Sequence, residues 1–162
     1  MEGDTMSDKL VFDSQEWREL RNQKLMEWLR DENAVLFLLE IFNIAEVWDD
    51  LIDGDKSVSK ASINDAFYSA ILTLPANPFY QAYYPQLSGS MVSGIHAWLD
   101  ANELEKGSDN DKAYSYVLRV WYMELITLIC QLLHGFDYTR AISIEMRRFF
   151  THETLDEYKE QL

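Results

Sequence analysis

The hydrophobic pattern is strongest between Asn33 and Asp55, where the chain begins apolar on nearly every side and ends in a group of carboxylates. A helix that is hydrophobic all round belongs inside a protein, so we predict a central helix from about Ala34 to Asp53. Gly54 stands where a left-handed residue would end that helix. A second apolar stretch of similar design, Lys112–His134, predicts a second long central helix.

Shorter patterns predict helices around these two. Asp13 or Ser14 can cap a helix from Gln15 to about Arg30. A third helix begins at Ser59 or Ser62 and ends near Leu74. It places five apolar residues on one face: Ile63, Phe67, Ala70, Ile71 and Leu74.

Prolines and glycines divide the chain after this third helix. The aromatic run Phe79–Tyr84 predicts a short helix that Pro85 ends. A loop is expected over Gly89–Gly94, unless the next helix, which runs to about Glu103, already begins at Met91. The aromatic run either packs over the end of the bundle or forms a ligand or partner surface. The tail predicts two further helices, Thr139–Phe150 and His152–Gln161.

Alternating apolar and polar residues never persist, so no strand is expected. We predict a single all-α domain over residues 13–162, a bundle of six to eight helices around the two long central ones. Residues 1–12 are polar and are expected to form a flexible N-terminal segment.

Polar residues on the two central helices share one spacing. On the first helix they fall within one arc, with Asp49 at its edge: Asn43, Glu46, Asp50 and Asp53. On the second they are Glu124, Thr127, Gln131 and His134. Two buried helices with one polar stripe each are expected to face each other in a bundle.

The carboxylates break a local rule. Aspartates near a helix C-terminus are unfavourable, because the helix dipole and the last carbonyls already make that end negative. Glu124 has apolar neighbours in sequence, so it needs a partner, a proton or a metal if it is buried. Oxygen ligands favour Mg²⁺ or Mn²⁺, which predicts a metal site of five residues: Glu46, Asp49, Asp50, Asp53 and Glu124. Alternatively, the end of the first helix reaches solvent, and its carboxylates cap the next segment or pair with arginines. Glu124 would then pair with Arg119 or another arginine, or reach a tyrosine hydroxyl.

The charge balance restricts the partner. The formal net charge is −14, from 28 acidic and 14 basic residues. Direct binding to nucleic acid or an anionic membrane needs clustered Lys and Arg, so neither is expected. The balance suits a cation-binding protein, or an acidic surface that occupies a partner's basic groove.

The remaining composition points to the cytoplasm. Cys130 is the only cysteine, so there is no disulfide within the chain, and its apolar neighbours predict a core residue. No membrane span or signal sequence is expected. The sequence has no phosphate-binding glycine loop, nucleophile elbow or Cys/His metal spacing, so any enzyme here should depend on a metal.

Three resemblances bear on function. Asp49-Asp50-Leu51-Ile52-Asp53 spells DDxxD and resembles the first aspartate-rich motif of trans-isoprenyl diphosphate synthases, which implies Mg²⁺ bridging to a diphosphate. Glu46-x-x-Asp49 is similar to part of the carboxylate pattern of all-α NTP pyrophosphatases. The runs VWDDLIDGDKSVS and LPANPFY resemble small proteins of tailed phages and prophages, which implies such an origin but no activity.

Three functions remain open. The first is an acidic accessory or interaction protein, phage- or prophage-borne, that binds a partner macromolecule. The second is a divalent-metal-dependent enzyme or binding protein for a phosphorylated small molecule. The third is a virion or structural subunit. A homo-oligomer is compatible with each.

Overall fold

The computed structural model describes residues 14–54 and 56–162, and these residues form helices and no strand. The predicted all-α class is therefore confirmed. The expected flexible segment 1–12 lies outside the described residues. Within the described ranges, nine α-helices follow one another: α1 Gln15–Leu29, α2 Glu32–Asp53, α3 Lys60–Tyr68, α4 Leu74–Ala76, α5 Pro78–Leu104, α6 Asp109–Arg119, α7 Tyr122–His134, α8 Phe136–Phe150 and α9 Leu155–Glu160. A π-helical turn, Ser69–Thr73, joins α3 to α4.

Capping residues fix the ends of the first two helices. The Ser14 hydroxyl accepts a hydrogen bond from the Trp17 N–H at 3.2 Å, and Asp31 accepts one from Ala34 N–H at 2.8 Å. Gly54 ends α2 with φ of 66°, a left-handed conformation that glycine adopts without steric cost. The bounds of α1 and α2 thus agree closely with those expected from sequence.

The core lies where α1, α2, α5, α7 and α8 meet. Helix α2 packs against α1, α3 and α5, while α7 packs against α1, α5 and α8. The core's large, fully buried side chains come from these helices: Leu25, Leu29, Phe37, Leu38, Leu87, Leu125, Ile126, Ile129, Cys130, Met146 and Phe150. Burial also raises the pKa of the Cys130 thiol, as expected for a core cysteine.

Helix α5 shows that two expectations were wrong: the helix end at Pro85 and the loop over Gly89–Gly94. The helix continues through both and only kinks at Tyr83, where φ is −118° and ψ is 19°. Proline lacks an N–H and its ring crowds the carbonyl four residues earlier, so a kink before Pro85 relieves the conflict. Packing against α6 and α7 holds the remaining turns in helical form.

The second long central helix is divided into α6 and α7, which corrects the continuous helix expected over Lys112–His134. At Val120, φ is −94° and ψ is 28°. The Met123 and Glu124 N–H groups donate to carbonyls only three residues earlier, each at 2.9 Å. Such tight turns interrupt an α-helix and change its direction.

The Trp121 side chain occupies the space beside Gly94 of α5. A Cβ atom built on Gly94 would lie 2.2 Å from Cε3 of the Trp121 indole. Glycine is therefore required at this position, because any side chain would overlap the ring. The contact fixes α5 to the turn between α6 and α7.

Helix α3 and the π-helical turn leave an apolar surface uncovered. Ala66 and Leu74 are buried, but the large side chains between them are exposed. We call them the exposed apolar face: Phe67 at 61% exposure, Tyr68 at 63%, Ile71 at 65% and Leu72 at 52%. The π-helical turn adds a residue per turn, so Leu74 no longer lies in line with Phe67 as sequence spacing predicts.

Helix α9 is held by a hydrogen-bonded cluster around the Tyr158 hydroxyl. That hydroxyl lies 2.6 Å from Ser115 Oγ and accepts a bond from Arg119 Nε at 3.0 Å. Ser115 donates to the Ala101 carbonyl at 2.9 Å, and Arg119 also pairs with Glu105. The cluster ties α9 to α5 and α6.

One described stretch, Asp109–His134, is long and apolar enough in composition to cross a membrane, with a mean hydropathy of 1.4 over 18 residues. In the structure the stretch is two helices of 11 and 13 residues. A single span needs about 20 helical residues. Its most apolar part, including Leu125 and Ile129, lies in the core.

Gly94→Ala should lower the free energy of unfolding by about 2 kcal/mol or more, because the methyl group overlaps the Trp121 indole. Gly89, in the same helix, has nothing within 4 Å of a built Cβ. Gly89→Ala should therefore raise stability by about 0.4–1 kcal/mol. Urea unfolding measures both, and equal effects of the two substitutions would contradict the contact.

Candidate functional site

Three of the five predicted ligand residues line one pocket of about 310 Å³. We call it the aspartate pocket. It lies among α1, α2, α5, α7, α8, the end of α6 and the turn between α6 and α7. Its wall combines six aromatic rings with three basic and three acidic side chains: Trp17, Phe42, Trp98, Trp121, Tyr122 and Phe150; Arg21, Lys56 and Arg119; Glu46, Asp49 and Asp50; and Ala45.

Asp49 is a half-buried carboxylate of this pocket that bonds to an aromatic side chain. Its Oδ1 accepts a hydrogen bond from the Trp98 indole Nε1–H at 2.9 Å. Asp49 makes no ion pair with any described residue. Among these residues, its carboxylate therefore accepts a hydrogen bond only from the neutral Trp98 indole. A carboxylate has about four acceptor positions, so Asp49 can accept further donors from a ligand.

The other two carboxylates have cationic partners. Glu46 accepts from Arg18 at 3.1 Å, and Asp50 lies 3.5 Å from the Lys56 ammonium. The first pair is the one that the alternative to a metal site predicted. Both pairs are partly exposed to solvent and contribute little to stability, roughly 0–1 kcal/mol each. Asp53 is exposed at the end of α2 and does not line the pocket.

Glu124 lies elsewhere, and its expected burial is wrong. Its side chain is 68% exposed and accepts two hydrogen bonds from Arg147 of α8, at 2.8 and 3.1 Å. This charge-assisted pair raises the pKa of Arg147. Pairing with an arginine, the alternative that the sequence left open, describes Glu124 correctly.

The two polar stripes do not meet, which corrects their expected face-to-face arrangement. Glu124 turns toward α8, Thr127 donates to the Met123 carbonyl of its own helix, and Gln131 is exposed. His134 lies 2.6 Å from the Leu29 carbonyl of α1. The stripe of α7 therefore contacts α1 and α8 or solvent, whereas that of α2 borders the aspartate pocket.

Arg21 brings positive charge into the aromatic wall. Its guanidinium lies 5.3 Å from the ring centroids of both Trp17 and Phe42, within the range of cation–π attraction. It also donates two hydrogen bonds to Asn22. Arg119, on the other side, is held by Glu105 and Tyr158.

Tyr122 contributes a hydroxyl that can still form a hydrogen bond. The ring packs edge-on against Phe42 and Phe150, and the hydroxyl makes no hydrogen bond with any described residue. Burial raises the pKa of Tyr122 to about 12, partly opposed by the nearby Arg21 charge. The hydroxyl therefore stays protonated at neutral pH and can donate to a ligand.

In the part of the chain that the structure describes, no three His, Cys, Asp or Glu side chains are grouped as metal ligands. Glu46 and Asp50 are directed to basic side chains, Asp49 to an indole, and Glu124 is on another surface. A metal would have to displace the existing partners of Glu46 and Asp50. The five-residue metal site stays a prediction.

No family model, curated protein or solved structure matches this chain. The resemblances to isoprenyl diphosphate synthases, NTP pyrophosphatases and phage proteins therefore stay predictions. The chemistry open to the pocket is set by its side chains. Flat rings, a carboxylate and a hydroxyl suit a small aromatic molecule with both donors and acceptors.

Asp49→Leu should lower the free energy of unfolding by about 1–3 kcal/mol, because it leaves the partly buried Trp98 N–H without an acceptor. Asp49→Asn retains an oxygen acceptor and should cost less than about 1 kcal/mol. Urea unfolding followed by tryptophan fluorescence compares the two variants. Equal losses would show that the hydrogen bond from Trp98 does not stabilise the fold.

Proposed function

We propose that this protein is an acidic interaction protein that binds a partner protein through its exposed apolar face. The observation that supports this is the exposure of Phe67, Tyr68, Ile71 and Leu72, all more than half accessible. Contiguous apolar patches on a protein surface commonly mark interaction sites. The resemblance to small phage and prophage proteins supports an accessory role of this kind.

The face has the spacing of a helix that enters a groove. Phe67 and Ile71 are four residues apart, as are Tyr68 and Leu72, so they form two adjacent rows. Helices that bind in hydrophobic grooves use anchors at this spacing. The partner is expected to offer an apolar groove that receives these two rows.

Charge indicates what surrounds that groove. The chain carries a net charge of −14, and Asp65 lies exposed in the same helix as Phe67. A partner with Lys and Arg at the rim of the groove would be attracted, whereas a second copy of this chain would be repelled at low salt. A basic protein therefore fits better than self-association.

Binding should be lost when the face is made acidic. Phe67→Asp combined with Ile71→Asp should weaken capture of the partner from the source cells at least about tenfold, because buried apolar anchors contribute most to such interfaces. The substitutions are on the surface, so stability should change by about 0.5 kcal/mol or less. Affinity capture, mass spectrometry and a thermal melt measure these effects.

A matched control uses Tyr114 and Val117 of α6, which are 60% and 64% exposed. Tyr114→Asp combined with Val117→Asp adds the same charge away from α3 and should leave capture unchanged. The amount of partner protein that is captured should fall as the salt concentration rises. The proposal fails if both double variants retain the same proteins, or if light scattering shows that the face binds only a second copy of this chain.

A second candidate is a divalent-metal-dependent protein for a phosphorylated small molecule. The observation in its favour is that Glu46, Asp49 and Asp50 line one pocket with Arg21 and Lys56, so carboxylates for a cation lie beside cations for a phosphate.

Metal addition tests this candidate. Millimolar Mg²⁺ or Mn²⁺ should then raise the melting temperature of metal-stripped protein by several degrees, since a ligand at about a hundred times its Kd adds roughly 2.7 kcal/mol. The shift should vanish when Asp49→Asn and Asp50→Asn are combined, because both residues line the pocket. An unchanged melting temperature at constant ionic strength would exclude this candidate.

A further inference from the structure

We infer that the aspartate pocket binds a flat nitrogen heteroaromatic molecule with two adjacent N–H donors beside a carbonyl acceptor, as in a guanine base. This goes beyond the proposed binding of a partner protein, because none of the residues of the exposed apolar face lines the pocket. Shape, donors and acceptors each support it.

The shape of the pocket suits a planar molecule. Its volume of about 310 Å³ is at the small end of the range for ligand sites, roughly 300–1,000 Å³. Six aromatic rings from five helices and one turn line it. Nucleobases stack well on such rings, because every base presents a π-face to them.

The Asp49 carboxylate selects donors. One of its oxygens is held by the Trp98 indole N–H, which fixes the orientation of the group. The remaining acceptor positions can receive two parallel N–H bonds from one edge of a planar ligand, the geometry in which a carboxylate binds a guanidine-type group. Adenine offers an amino group but no adjacent ring N–H, so it fits this carboxylate less well.

Tyr122 and Arg21 select an acceptor beside those donors. The Tyr122 hydroxyl lacks a partner among the described residues, and the Arg21 guanidinium places positive charge on the same wall. A carbonyl oxygen on the ligand would accept from this side. Guanine has its carbonyl next to the ring N–H, whereas an arginine side chain has no acceptor and would meet the positive charge of Arg21.

Charge argues against a large anionic extension on the ligand. The pocket wall holds three acidic and three basic residues. The basic ones are already committed in part: Lys56 lies near Asp50, and Arg119 pairs with Glu105. A neutral base or nucleoside therefore fits better than a polynucleotide, consistent with the net charge of −14.

The test titrates guanosine, inosine, adenosine and arginine amide into the ¹⁵N-labelled protein. Calorimetry gives the affinities, and the Trp98 indole N–H signal reports the site because that group bonds to Asp49. Guanosine should shift this signal and bind at least about tenfold more tightly than inosine, which lacks the second donor, and than adenosine.

Two pocket variants and one control complete the test. Asp49→Asn should lower the affinity for guanosine at least about tenfold, since a charged acceptor is lost while the hydrogen bond from Trp98 is kept. Tyr122→Phe should lower the affinities for guanosine and inosine by the same factor, because both carry the carbonyl. Glu124→Gln, on an exposed carboxylate outside the pocket, should change neither.

Several results would overturn the inference. One is the absence of saturable guanosine binding at millimolar concentration to protein that melts normally. Others are equal affinity for guanosine and adenosine, or Asp49-dependent binding of arginine amide alone. Neither acidic double variant outside the pocket should change the affinity for guanosine. The guanosine experiment and the partner-capture experiment can therefore fail independently of each other.

Discussion

The contact between Gly94 and the Trp121 indole determines how the helices around the pocket are arranged. Because Gly94 has no side chain, the ring can lie directly against α5, and the turn between α6 and α7 is held there. Trp98 lies one helical turn beyond Gly94 and reaches Asp49 of α2. Tyr122 follows Trp121 directly. One close approach between α5 and this turn therefore places donors and rings from three segments around the same pocket.

Sequence patterns predicted the helices whose ends have chemical signals. Ser14, Asp31 and Gly54 are capping residues, and α1 and α2 begin or end beside them. The break at Val120 has no such signal, because the residues around it include neither proline nor glycine. It depends on Trp121 meeting Gly94, two residues far apart in sequence. Helix propensity depends on neighbouring residues, so it contains no information about a contact between residues so far apart in sequence.

In the candidate site too, local spacing was predicted correctly and contacts between distant residues were not. Helical spacing correctly brought Glu46, Asp49 and Asp50 to one side of α2, since neighbours on one helix face follow from about 3.6 residues per turn. The spacing did not reveal which helix that side would contact, so it could not show that Glu124 lies on another surface, where it pairs with Arg147. Trp98 and Tyr122 were missed for the same reason. Unusual aromatic content was their only signal in the sequence.

The Tyr158 cluster constrains the order of folding. The hydroxyl of Tyr158 bonds to Ser115, 43 residues earlier in the chain. At a synthesis rate of about 5–20 residues per second, roughly two to nine seconds separate the two residues as the chain is made. During that interval Ser115 can already bond to Ala101, but the side of α6 that α9 will cover stays open. This side of α6 can therefore be covered only after α9 has been made, and it is open to chaperones or proteases until then.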